Sequence, residues 1–167
     1  MRRGKHILAA MFVGLSVSVQ PAAAEENKLI AGLMTEINAV WEGVFARAGA
    51  EYVDAQWTVL SKTAETSCGA ANPAAVRFYC DADTRIYLGR QFFEAVQAQV
   101  PDAEAAAFVV GTVLAHEVGH HVQFQLGTGE ENDAERDALR KEGKDAEALA
   151  LSIRLELQAD CFSGIWA

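Results

Sequence analysis

His116-Glu117-Val118-Gly119-His120 is the stretch that most restricts how this chain can fold. On an α-helix, residues four apart share a face, so the two imidazoles can converge on a single cation. Glu117, one position on from the first histidine, can then reach a metal-bound water without ligating. The spacing is the H-E-x-x-H of zinc-dependent hydrolases. It therefore predicts a helix, a metal and hydrolytic chemistry together.

Two histidines leave such a site incomplete, since catalytic zinc takes three protein ligands and keeps a fourth position for water. Glu156 is the candidate third ligand. It opens Glu156-Leu157-Gln158-Ala159-Asp160, which places two carboxylates four apart on one face of a later helix. Asp160 can then accept the other ring N–H of a ligand histidine, fixing its tautomer. His121 competes for the third place but is rotated about 100° around the helix from His120. A supporting or substrate-facing role for it, or plain surface exposure, fits better. With zinc on His116, His120 and Glu156, the bound water is acidified and Glu117 serves as general base. Tyr79, Tyr87 and His121 are the candidates for a further donor to the oxyanion.

The elements around this site follow from periodicity. Leu29, Leu33, Ile37, Val40, Trp41 and Val44 recur at spacings of three and four, which predicts an amphipathic helix over 27–47. A strand can begin within 52–60, and 67–73 reads as loop. Phe78-Tyr79-Cys80 and Arg85-Ile86-Tyr87-Leu88 read as two short strands around an acidic turn. A brief helix follows over 91–99. Pro101-Asp102 suits the first turn of the central helix, and Gly127 ends it. Gly111 and Gly119 inside that helix are tolerable where another chain segment approaches closely. The charged stretch 130–144 reads as an exposed, partly helical connection. In 146–166, Leu149, Leu151, Ile153, Leu155 and Leu157 alternate as in a strand, but the length and the carboxylate spacing favour a helix. The nearest strand for pairing with an extended peptide is 85–88.

Residues 1–24 read as a secretory signal. Arg2, Arg3 and Lys5 precede an apolar run from Ile7 to Val19, and Pro21-Ala22-Ala23-Ala24 offers a cleavage site before Glu25. The alternative is an uncleaved anchor on the outer face of the inner membrane. The rest, 25–167, is long enough for one domain. The first 24 residues hold three of the 14 basic residues and none of the 23 acidic ones, so their loss moves the net charge from −9 to −12. So acidic a body, without a basic stripe, excludes nucleic acid as a partner and repels anionic membranes. Membrane association is expected only through the anchor. In an exported chain, three cysteines suggest one disulfide, with Cys68–Cys80 across the 67–73 loop as the natural pair. Cys161 is expected as a small buried residue.

These residues resemble the neutral zinc metallopeptidase family of YpfJ-like bacterial proteins. The resemblance is carried by Cys68-Gly69-Ala70, Phe78-Tyr79-Cys80, Ile86-Tyr87-Leu88, Phe92-Phe93, the run from Ala115 through His120 and His121 to Gln123, and that from Arg154 to Cys161. It implies a zincin-like α+β fold of the gluzincin kind, mostly helical with a small sheet beside the H-E-x-x-H helix. It implies zinc on His116, His120 and Glu156, with Glu117 as base and Asp160 behind a ligand. It also supports the Cys68–Cys80 pairing. Proteins of that family usually continue beyond the Gly-x-Trp-Ala that closes this sequence, so the domain is expected to be short at its C-terminus. Three functions stand against one another. The first is an exported, periplasmic or secreted zinc endopeptidase acting on polypeptide. The second is a non-catalytic zinc-binding module, and the third a disulfide-stapled helical protein without metal. Glu117 favours the enzyme, because a purely structural metal site has no use for a base.

Overall fold

In the computed structural model, which describes residues 22–74 and 76–167, the H-E-x-x-H segment lies in the central helix α3, Ala103–Gln125. The apolar run from Ile7 to Val19, read as the core of an export signal, falls outside the described residues. Helix α1, Ala22–Ala48, buries Ile30, Met34, Ile37, Trp41 and Phe45, the stripe that a spacing of three and four dictates. Its stretch Ala24–Ala48 is also long and apolar enough, by length and composition, to cross a membrane. Asp102 caps α3, its side chain accepting from the Ala105 N–H at 2.8 Å. Pro101 thus precedes the cap instead of occupying the first turn. Gly127 closes the helix at φ 75°, a left-handed conformation that glycine adopts without penalty.

Five short strands follow α1: β1 Gln56–Leu60, β2 Ala64–Thr66, β3 Gly69–Ala71, β4 Arg77–Cys80 and β5 Arg85–Gly89; β4 and β5 pack against α3. β1, β5 and β4 form one sheet in that order, with β1 parallel and β4 antiparallel to β5. The fold is therefore α+β, mostly helical with a small mixed sheet. Two expectations are corrected here. The 67–73 segment is not all loop, because Gly69–Ala71 pairs antiparallel with Ala64–Thr66. The 85–88 segment is the central strand, with both edges occupied, so it cannot take a further strand; β1 and β4 are the outer strands, and of these β4 packs against α3.

Helix α2, Arg90–Gln99, follows β5 directly. Helix α4, Thr128–Lys141, is regular and has no buried residue. Helix α5, Asp145–Trp166, packs against both α3 and α4. The main core joins α1, α3, β5 and α2 through Ile37, Trp41, Ile86, Leu88, Phe93, Leu114 and Val118. Leu60, Ala71, Val76, Cys80 and Tyr87 form a satellite cluster. Cys68 and Cys80 are bonded, with Cα atoms 5.8 Å apart, which ties the β2–β3 hairpin to the end of β4. Cys161 is exposed, contrary to expectation, because it lies on the face of α5 turned away from α3.

Candidate metal centre

Gly119 sits between the two motif histidines and is the joint of the site. A Cβ there would meet the Ala159 carbonyl oxygen at 2.9 Å and its Cα at 3.1 Å. The missing side chain lets α5 lie against α3, and Ala159 is fully buried in the contact. Glu156, one turn before Ala159, and Asp160, directly after it, are thereby delivered to the histidines.

The donor atoms form a tight triangle. His116 Nε2 and His120 Nε2 are 3.1 Å apart, and Glu156 Oε2 lies 3.3 Å from the first and 3.5 Å from the second. Ligands bound tetrahedrally at about 2.0–2.1 Å stand about 3.3–3.4 Å from one another. The chemistry and the spacing of these donors thus fit one zinc ion. His116 Nδ1 donates to Asp160 Oδ1 at 2.8 Å, and His120 Nδ1 donates to Gln123 Oε1 at 2.9 Å. Both Nε2 lone pairs are left facing the centre of the triangle.

Glu117 projects from the same helix but is only 5% exposed. Burial is the main cause that raises its carboxyl to a pKa of about 7; His120, the Tyr79 backbone N–H and Arg77 act in the opposite direction, while Glu156 adds to the rise. A carboxyl so placed is poised to exchange a proton near neutrality. A cleft of about 730 Å³ opens over these groups. Arg77, Phe78 and Tyr79 of β4, with Asp81 just beyond it, form one wall; Leu155, Glu156 and Asp160 of α5 belong to another.

His121, for which surface exposure had been an expected state, is 2% exposed. Its rotation away from His120 turns it toward the sheet instead of toward solvent. His121 Nε2 donates to the Val53 carbonyl at 2.7 Å, and the Tyr79 hydroxyl donates to His121 Nδ1 at 3.0 Å. Burial lowers its pKa, against the smaller opposing effects of the Val53 carbonyl and Asp54, which favours the neutral ring. Tyr87 donates to Asp83 at 2.8 Å and stacks on Phe78, within the satellite core and off the cleft lining. The polar hydrogens of His121, Tyr79 and Tyr87 are therefore all committed inside the protein. Gln123 is the residue that the motif reading passed over. It lies three residues beyond His120, which puts it on the metal face of the helix, and that spacing was the available signal.

The family model described as "Putative neutral zinc metallopeptidase" matches residues 10–167. The chain is 32% identical over 149 residues to "Uncharacterized protein YpfJ" of Escherichia coli, covering 89% of this chain and 50% of that protein. It is 30% identical over 159 residues to "Uncharacterized protein Rv2575" of Mycobacterium tuberculosis, covering 92% of this chain and 49% of that one. The chain thus spans about half the length of these curated relatives. No solved structure matches.

Proposed function

The chain belongs to the neutral zinc metallopeptidase family, and from that premise we propose that it is an exported, zinc-dependent endopeptidase of zincin-like design. The reading is carried by one observation, the His116–His120–Glu156 triangle with the buried Glu117 beside it. A zinc ion there supplies an acidified water and a Lewis acid for the scissile carbonyl. Glu117 takes the proton of the attacking water and returns it to the departing amine, which its near-neutral pKa allows. Asp160 and Gln123 hold the two imidazoles with Nε2 lone pairs turned inward.

The substrate is an extended polypeptide added to the free edge of β4, where strand pairing gives affinity without demanding a particular sequence. That assignment moves the substrate strand from 85–88 to Arg77–Cys80. Tyr79 of this strand donates to His121, which donates in turn to the Val53 carbonyl, so the protons of both are engaged within the protein. Residues 1–24 carry the domain 25–167 out of the cytoplasm, as a cleaved signal or, alternatively, as a retained anchor.

The test is zinc content and casein proteolysis of the wild type beside Glu117→Gln. Both proteins are expected to hold one zinc, and the variant to lose activity by about 10²–10⁴-fold. Zinc without turnover in either protein would mark a non-catalytic binding module instead. Absence of zinc from both would end the metal reading.

A further inference from the structure

Gln123 is 1% exposed, yet every polar atom of its side chain has a partner. Its Nε2 donates to the Leu155 carbonyl at 2.8 Å and to Gln158 Oε1 at 2.9 Å. The Leu155 carbonyl can only accept, and that settles which end of the Gln123 amide is nitrogen. The oxygen must then face His120 Nδ1, which can only donate to it. His120 is held with its Nδ1 protonated and its Nε2 lone pair directed at His116 and Glu156.

The same amide reaches across to the turn of α5 that carries the third ligand. Leu155 directly precedes Glu156, and Gln158 follows two residues later. We propose that Gln123 is a positioning residue that fixes the tautomer of His120 and, through the α5 backbone, the seat of Glu156. One buried side chain thereby couples ligands from two helices, whereas Asp160 serves His116 from an exposed position. The proposal rests on the zinc reading above for its functional meaning, but the hydrogen bonding it describes belongs to the metal-free protein as well.

Two readouts test it. In metal-free wild type at about pH 8, ring nitrogen NMR shifts should show His120 with Nδ1 protonated. Gln123→Leu keeps the volume but offers no acceptor; it should lose that signature and bind Zn²⁺ about 10–100-fold more weakly. Gln123→Glu can still accept from His120 and should restore the tautomer, but its carboxylate cannot donate to the Leu155 carbonyl, so Zn²⁺ affinity should stay below wild type. Gln158→Leu, which leaves His120 its acceptor, should keep the tautomer while weakening Zn²⁺ binding by a smaller factor. It serves should Gln123→Leu fail to fold.

A wild type dominated by the Nε2-protonated form would overturn the inference whether or not zinc binds. So would a folded Gln123→Leu that matches wild type in both readouts, or a folded Gln123→Glu that lacks the Nδ1-protonated form of His120. A wild type with the expected tautomer but no uptake of Zn²⁺ would sink the proposed function and leave the tautomer assignment intact.

Discussion

Glu117 keeps its carboxyl in the interior beside the triangle, and that placement has a consequence for stability. Its pKa is raised to about 7 in the folded, metal-free chain against an ordinary 4.5. Between those values the unfolded chain binds fewer protons than the native one, so stability falls as pH rises through that window. A shift of this size is worth about 3 kcal/mol at most. Glu117→Gln should therefore stabilise the metal-free protein more at pH above about 7 than below about 4.5. Urea unfolding in a chelator at both extremes checks this, and an equal gap at the two would mean that burial does not hold the carboxyl neutral. Among single residues, the metal-facing ones were legible because H-E-x-x-H and the 156/160 pair carry their geometry in their spacing. His121 was not, since spacing says that it turns away from the metal but not what it turns toward. Gln123 was hidden for a related reason: a glutamine in a helix shows its role only when its acceptors, Leu155 and Gln158, are known.

At the scale of elements, the α3–α5 contact decides whether Glu156 reaches the histidines. Gly119→Ala puts a methyl against the Ala159 backbone, which can yield only if the helices separate. The overpacking cost of about 1–3 kcal/mol exceeds the gain of about 1 kcal/mol in helix propensity. Stability and Zn²⁺ affinity should fall together, as thermal unfolding and metal titration would show. Gly111→Ala meets the ring of Trp166, a side chain near the end of α5 that can swing aside. That variant should stay within about 1 kcal/mol of wild type and keep its zinc affinity; equal losses in the two variants would contradict this reading. The elements themselves were largely readable from the sequence. The apparent period-two run in α5 resolves once the helix is seen: Leu149, Ile153 and Leu157 share its exposed face, while Leu151 is buried. Strand order was not readable. β1 joins β5 across a long separation in parallel, and nothing local in either strand says which one is left with a free edge.

The whole molecule combines an acidic chain, one disulfide and a small sheet stapled at its far end. The Cys68–Cys80 bond closes a loop of sequence separation 12, worth about 3 kcal/mol on chain-entropy grounds. Neither cysteine lines the cleft over the triangle. Cys68→Ala with Cys80→Ala should lower the unfolding midpoint while leaving Zn²⁺ affinity within about threefold of wild type, as a titration of the folded variant would show. A parallel loss of zinc would mean that the sheet, and not the helix pair, holds the ligands in place. The functional reading turns on the ion that the triangle is read to hold. Zinc K-edge absorption of the wild type with one equivalent of Zn²⁺ tests it most directly. Four nitrogen or oxygen neighbours at about 2.0–2.1 Å, two of them imidazoles, are expected. A sulfur neighbour at about 2.3 Å, for which the exposed Cys161 is the free thiol present, or a shell without imidazole would contradict the assignment.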